Sequence, residues 1–324
     1  MKKVLLLFGG KSTEHFVSCK SVKSIIENID KDLFEFEICG ISLDGDFYKF
    51  DDDLIYLENG NWMNSNIKKI DNIIEYLKSF DVVFPITHGN YGEDGKLQGM
   101  LDLFNIKYVG SKTSSSVISF DKSISKLIFK ELNIPQVPYT IYNGNIDDIN
   151  IDYPLIIKPS NGGSSIGINK ANNKKELIKY IAEAKKYDSK IIIEKFIKAR
   201  ELECAVLYNN ELIISNPGEI KSCNDWYDYN AKYIDNSTTI IPNDIPNDII
   251  NKIREYSKKI YDYMDIKNYS RIDFFYNEDG LFINEINTIP GFTNISMYPK
   301  LIENEIISYK DLITILINNA KKLV

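Results

Sequence analysis

The chain has 324 residues, 44% of them hydrophobic and 26% charged, a mixture that excludes a disordered or fibrous protein. At roughly 100–200 residues per domain, the length predicts two or three packed units around a cleft, not one small binding module. Acidic residues outnumber basic ones 46 to 39, and the net charge of −7 with a pI near 5.1 excludes the basic footprint of a nucleic-acid binder while leaving small-molecule ligands open.

The N-terminus, Met1-Lys2-Lys3 followed by apolar residues 4–8, has the outline of an export signal. The run ends at Gly9-Gly10, short of the roughly 7–15 apolar residues that such a signal uses, and no later stretch approaches the roughly 20 that span a bilayer. A cytoplasmic chain with no membrane partner is expected. Cys19, Cys39, Cys204 and Cys223 contain no C-x-x-C pair, and His15 and His88 are the two histidines, so inert thiols are expected rather than a zinc site or disulfide framework.

Short β-branched runs alternate with helical stretches, which predicts an α/β architecture opening with parallel strands. Residues 4–8 read as the first strand. Val17, Val22, Ile25 and Ile26 then recur at helical spacing over 13–29, with Ser12 or Thr13 as N-cap. Strands follow at 36–41 and 82–85, with a helix over 67–80 between them, so residues up to about 110 form one open-sheet unit. A helix over 121–132 ends before Pro135, and strands are expected at 154–158, 166–170 and 191–194. Beyond them come a strand over 201–207, a polar and aromatic loop over 222–239, a helix over 248–264, a strand pair over 270–286 and a closing helix over 309–323. No fixed-period repeat is present.

Four stretches can carry chemistry. The segment Lys158-Pro-Ser-Asn-Gly-Gly-Ser-Ser-Ile-Gly167 supplies backbone N–H groups and hydroxyls without bulk, as either a flap over phosphates or a surface hairpin. It is not a Walker A loop, because a strand follows it instead of a helix. In the pair at 270–287, a three-residue loop of Glu278, Asp279 and Gly280 makes Asp273 face Glu285 and Arg271 face Asn287, all on one side of the sheet. Carboxylates opposite one another beside an Asn carbonyl make a hard-oxygen cluster suited to magnesium, or else a solvated polar face. Thr288-Ile-Pro-Gly291 offers a backbone N–H for an oxyanion or carboxylate, and His88, within Thr87-His-Gly-Asn-Tyr-Gly-Glu-Asp-Gly95, is an anion-binding or structural histidine. The loop Trp226-Tyr-Asp-Tyr-Asn-Ala-Lys-Tyr233 reads as an aromatic lid or a packed surface loop.

Together these segments resemble the D-alanyl-D-alanine ligases of the ATP-grasp superfamily. The likeness runs from Phe8-Gly-Gly-Lys-Ser-Thr-Glu14 through His88-Gly, Lys158-Pro-Ser, Tyr227-Asp-Tyr and Asn284-Glu-Ile-Asn-Thr to Ser296-Met-Tyr-Pro299. It implies an α/β ATP-grasp fold of three domains: an N-terminal open parallel-sheet domain (1–110), a central domain with the glycine-rich loop (111–194) and a C-terminal domain with lid loop and magnesium site (195–324). ATP would lie between the latter two. It also implies that ATP phosphorylates the carboxylate of one D-alanine, and that the amine of a second D-alanine attacks the acylphosphate to give the dipeptide used in peptidoglycan.

Carried onto this sequence, the resemblance makes Glu14 the partner of the first ammonium group and puts His88 near the first carboxylate. Lys122 and Lys158 would grip ATP phosphates under Ser164 and Ser165. Glu194, Lys195, Phe196 and Ile197 would line the adenine pocket, Glu201 would bond the ribose, and Phe275, Asn284 and Glu285 would complete the ATP site. Asp273, Glu285 and Asn287 would bind two magnesium ions, with manganese as a substitute. Arg271 and the N–H of Gly291 would stabilise the oxyanion, and Lys232 would reach the γ-phosphate. Ser164 and Tyr233 would join Glu14 in a triad closing the lid, while Ser296 and Met297 would border the second substrate. A homodimer is implied as well.

Two positions depart from the family pattern: Asn230, where Glu is usual in the lid, and Phe120, where Met is common. The rival readings are a ligase adding D-serine or D-lactate, and a non-catalytic ATP-grasp regulatory protein. Apolar Met297 resembles the D-alanine type, since D-serine enzymes tend to carry Arg there. A dinucleotide-dependent oxidoreductase fails for want of G-x-G-x-x-G after the first strand.

Overall fold

The structure, a computed structural model, describes residues 1–221 and 238–320. Its first sheet has the order β4-β3-β2-β1-β5. Strand β1 (Lys2–Gly9) runs parallel to β2 (Phe34–Ile41) and β5 (Val82–Pro85), while β3 (Phe47–Phe50) and β4 (Ile67–Lys69) add antiparallel. Being central and parallel, β1 is apolar on both faces. Val4, Leu6 and Phe8 pack towards α1 (His15–Asn28), and Leu5 and Leu7 towards Leu77, Leu97 and Leu101. The latter side holds α3 (Ile73–Lys78) and α4 (Lys96–Leu103), and a short α2 (Ile55–Glu58) packs on α1.

Two sequence expectations are corrected here. The stretch 67–80 is not one helix: Ile67–Lys69 pairs with β3, and Asn72, whose side chain accepts from the Glu75 N–H, starts α3 afresh. Nor does Ser12 or Thr13 cap α1. Glu14 occupies the cap position without a side-chain cap bond, because its carboxylate is directed elsewhere, to Ser164.

Helices α5 (Thr113–Phe120) and α6 (Lys122–Glu131) lead into an antiparallel sheet of order β6-β9-β7-β8, made of β6 (Tyr139–Ile141), β7 (Leu155–Pro159), β8 (Asn169–Ala171) and β9 (Ile191–Lys195). Helix α7 (Lys174–Ala184), capped by Asn173, covers one face through Leu177, Ile181 and Ala184. Strand β8 begins at Asn169, later than the sequence suggests, because Ser164, Ser165 and Gly167 take positive φ and keep the preceding residues in a loop.

The largest sheet has the order β13-β12-β10-β14-β15, with β11 also on β10. Its strands are β10 (Arg200–Asn209), β11 (Glu211–Ile214), β12 (Gly218–Lys221), β13 (Thr238–Ile240), β14 (Tyr269–Asn277) and β15 (Gly280–Asn287). Helix α8 (Asn247–Tyr263) covers one face with Ile249, Ile253 and Ile260, spaced to share one side of a helix. The other face joins α9 (Met297–Asn304) and α10 (Tyr309–Asn319) in a core continuous with that of α1 and β1. Helices α9 and α10 therefore share a core with the first strand and helix.

The hairpin of β14 and β15 reaches the expected register by another route. It closes in two residues, Asn277 facing Gly280, instead of the three-residue loop expected. Left alone, that turn would bring Asp273 opposite Asn284. A β-bulge between Asp273 and Phe274 leaves Asn284 as the extra residue, so that Asp273 faces Glu285 and Arg271 faces Asn287. Cys19, Cys39 and Cys204 are buried free thiols. Among the described residues no helix is long and apolar enough to cross a membrane.

Candidate active site

The glycine-rich loop joins the two ends of the site. Ser164 Oγ donates to Glu14 Oε1 at 2.5 Å across 150 residues of sequence, linking the loop after β7 to the start of α1. Two glycines make this approach possible. A Cβ on Gly163 would lie 2.4 Å from Glu14 Oε2, and one on Gly89 would lie 2.3 Å from the same oxygen. Lys122, the first residue of α6, donates from Nζ to the Gly162 carbonyl at 2.7 Å and lies 3.2 Å from Glu285. Its position is set by Asp121, whose Oδ1 accepts from the Ser123 N–H and from the hydroxyls of Ser123 and Ser160 and whose Oδ2 pairs with Lys190. Burial would raise the Asp121 pKa, but Lys190 and these donors prevail and hold it down to about 2.

Beneath the loop lies a buried charge triad. Glu194 Oε2 pairs with Lys158 Nζ at 2.8 Å, and its Oε1 lies 2.6 Å from Lys126 Nζ. Burial disfavours the carboxylate, yet the two ammonium groups outweigh it and hold Glu194 at about 2. The side chain of Lys195, next along β9, points the other way and donates to the carbonyls of Asp152 and Tyr153. Phe196 N donates to Pro154 O, and Lys170 Nζ sits 3.6 Å from the centre of the Phe196 ring.

On the facing sheet, Arg271 donates from Nε and Nη2 to the two oxygens of Asp273, both at 2.8 Å, and its Nε lies 3.2 Å from Glu203. Asn287 Nδ2 adds a bond to Asp273 Oδ2 at 3.0 Å. Burial works against the Arg271 charge, but Asp273, Glu203 and Glu285 more than compensate and raise its pKa. A void of about 30 Å³, room for one water, is lined by Glu201, Glu203, Asp273, Phe275, Asn284 and Glu285 among others. Asp273, Glu285 and Asn287 share one face and offer hard oxygen donors, a set that fits magnesium. Among the described residues no three His, Cys, Asp or Glu side chains converge on a metal position, so this set is two carboxylates and an amide.

A third group holds the loop that carries Gly291. His88 Nδ1 bonds the Ile289 carbonyl at 2.9 Å; a carbonyl only accepts, so Nδ1 carries the proton and Nε2 accepts from Ser21 Oγ at 3.0 Å. Burial lowers the His88 pKa and keeps the ring neutral. Glu93 accepts from the N–H groups of Gly89 and Ile289, at 3.0 and 2.9 Å. Burial and then the Glu14 charge push its pKa up to about 8, against the pull of those N–H bonds. Ile289 is thus held through both its N–H and its carbonyl, and Phe292 N donates to Ser21 Oγ. Ser296 Oγ accepts from Thr293 N, and Met297 is buried with its sulfur against Gly218.

The fold therefore brings Glu14, Ser164, Lys122, Lys158, Glu194, Arg271, Asp273, Glu285 and Asn287 into two facing groups. Lys232 and Tyr233, with the rest of the expected lid, lie outside the described residues. The ring nitrogens of His88 are engaged by protein atoms, which makes it a support of the Ile289 loop. The Lys195 side chain serves the loop at 152–153 instead of the Glu194 triad, and the Met297 side chain serves the core. Sequence reasoning passed over Glu93, Lys126, Asp121, Ser21 and Glu203. Lys126, one helical turn after Lys122, and Glu203, two residues after Glu201 on the same strand, carried a spacing signal; Ser21 carried none.

A family model for the D-ala D-ala ligase N-terminus matches residues 3–111, and one for the D-ala D-ala ligase C-terminus matches residues 128–318. The chain is 41% identical to a D-alanine–D-alanine ligase of Acetivibrio thermocellus, over 98% of this chain and 96% of that one. Among solved structures it is similar to the VanG D-Ala:D-Ser ligase of Enterococcus faecalis, with a TM-score of 0.87, 33% identity and 98% of each chain covered. It is also similar to the D-alanine–D-alanine ligase of Bacillus anthracis complexed with ATP, with a TM-score of 0.76, 26% identity and 98% and 97% covered. With both halves matched in order and the ATP-grasp architecture shared, the chain belongs to the D-alanine–D-alanine ligase family of ATP-dependent ligases.

Proposed function

We propose that this chain joins two D-alanines into D-alanyl-D-alanine for peptidoglycan synthesis, at the expense of ATP and through D-alanyl phosphate. The observation that supports the reading is the Glu14–Ser164 bond, a carboxylate suited to an ammonium group held against a glycine-rich loop suited to phosphates. Glu14 and Arg271 supply the carboxylate and the guanidinium that the two ends of an amino acid require, and the charges of both reach the buried His88.

In this mechanism Lys122 and Lys158 draw the terminal phosphates under the loop of Ser164 and Ser165, and Glu194, Phe196, Ile197 and Glu201 hold the nucleoside. When bound at Asp273, Glu285 and Asn287, the divalent metal, two magnesium ions or manganese in their place, screens the phosphate oxygens. Arg271 and the Gly291 N–H orient the first carboxylate for attack on the γ-phosphorus and then neutralise the oxyanion formed when the second amine adds. Phosphate leaves as the peptide bond forms. The lid residues Lys232 and Tyr233 exclude the water that would hydrolyse the acylphosphate, and Ser296 borders the second amino acid. A homodimer, a cytoplasmic setting and domains at 1–110, 111–194 and 195–324 belong to the same proposal.

Likeness to a D-Ala:D-Ser ligase keeps a second reading in view. The test is phosphate release from magnesium ATP with D-alanine alone, then with D-serine or D-lactate in competition, the product identified by mass. Phosphate formed in step with D-alanyl-D-alanine supports the proposal. A preferred mixed product moves the chain to the other ligases, and no turnover makes it a regulatory relative.

A further inference from the structure

Lys122 and Lys126 lie one turn apart on α6, with different surroundings. Lys122 reaches the glycine-rich loop, whereas the Lys126 side chain is 1% exposed, with Nζ 2.6 Å from Glu194 Oε1 and 4.7 Å from the centre of the Tyr139 ring. Glu194 also serves Lys158, so one buried carboxylate answers two buried ammonium groups. As core filler this is a poor choice. Burying an ammonium is unfavourable, and an apolar side chain of similar volume would fill the place at no electrostatic cost. Burial is the largest influence on Lys126 and lowers its pKa; Glu194 pulls the other way, while Lys158 and Lys122 add to the lowering.

We propose that Lys126 is a positioning residue for nucleotide binding that acts through Glu194. It holds Oε1, so that Oε2 and the Lys158 ammonium stand in one orientation below the loop, and it gives the Glu194 cluster two lysines to one carboxylate, an imbalance that polyphosphate can answer. The inference rests on the ligase reading above. Its consequence is specific: Lys126 favours the bound nucleotide at the expense of the empty fold, and it leaves the chemical step alone.

The experiment compares full-length Lys126→Met, Lys126→Arg, Glu194→Gln and the Lys126→Met/Glu194→Gln double variant by calorimetric titration with magnesium ATP, melting with and without ATP, and steady-state kinetics. For Lys126→Met, the Kd and KM for ATP rise about tenfold while kcat at saturating ATP stays within about threefold. Its ligand-free melting temperature does not fall, and its ATP-induced shift shrinks. Lys126→Arg keeps ATP affinity within about threefold, and in the Glu194→Gln background Lys126→Met adds less than about twofold, the non-additivity of residues acting as one unit. A lower ligand-free melting temperature and lower kcat with unchanged ATP affinity, or losses that multiply in the double variant, overturn the inference. Should Lys126→Met not fold, loss of ATP affinity beyond about tenfold in Lys126→Arg overturns it and retention supports it. A wild-type chain that binds no ATP or releases no phosphate defeats the ligase reading instead.

Discussion

Asp121 is the sharpest place to test the physical account, because one carboxylate organises the start of α6 and the root of the glycine-rich loop. In Asp121→Ala the helix loses its cap, which removes about 1 kcal/mol. The fully buried Ser160 hydroxyl loses an acceptor, worth about another 1 kcal/mol. Lys190 is 40% exposed and rehydrates, so its ion pair adds no more than about 0.5 kcal/mol. Together these predict a destabilisation of about 2–3 kcal/mol in urea unfolding. The carboxyl is held down from the ordinary 3.8 to about 2, which gives an independent figure: about 2 kcal/mol, or roughly half that once solvent around Lys190 is allowed for. A lowered carboxylate pKa stabilises the fold above about pH 4, and that contribution disappears as pH falls towards 2. The gap between wild type and Asp121→Ala should therefore be full at pH 6–7 and narrow towards pH 3. Because Lys122 follows Asp121 directly, the KM for ATP should rise as well. A destabilisation below about 1 kcal/mol, or a gap constant from pH 7 to pH 3, would exclude the Asp121 carboxylate as the group that holds the start of α6.

Further outcomes test other parts of the site. Asp273→Ala and Glu285→Ala should each lower turnover by at least about a hundredfold while circular dichroism reports an intact fold, since Glu203 still pairs with Arg271; unfolding or undiminished turnover counts against the metal assignment. Gly163→Ala places a methyl against Glu14, so it should break the Ser164–Glu14 bond and reduce kcat/KM for D-alanine about tenfold with little change in melting temperature. Glu93 has a raised pKa, so its contribution to stability is fully present below about pH 4.5 and is lost as pH rises through about 8. Wild type should therefore lose melting temperature between pH 7 and pH 9. Glu93→Gln should start lower, because its amide faces the Gly89 or Ile289 N–H, and should show a flatter alkaline slope; equal slopes would exclude Glu93 as the titrating group.

Local sequence was enough wherever a single segment decides its own state. The apolar run of β1 and the amphipathic spacing of α8 follow from periodicity. The same rules failed at 67–80, where pairing with β3 outweighs helical spacing. In the 270–287 hairpin the sequence reading reached the right facing residues from the wrong turn, because a bulge at Asn284 offsets a shorter loop, and bulges leave no signal in alternation.

Composition, period and motif order determined the α/β class, the glycine-rich loop and the polar face of Asp273, Glu285 and Asn287, since each depends on residues close together in the chain. Tertiary structure alone decided that Glu14 meets Ser164, that Lys126 and Lys158 share Glu194, and that His88 and Glu93 clamp Ile289. These contacts join residues far apart in sequence. Their geometry follows from how three sheets pack, and the polarity of a lone Glu, Lys or His does not say whether it will face solvent, a ligand or another buried charge.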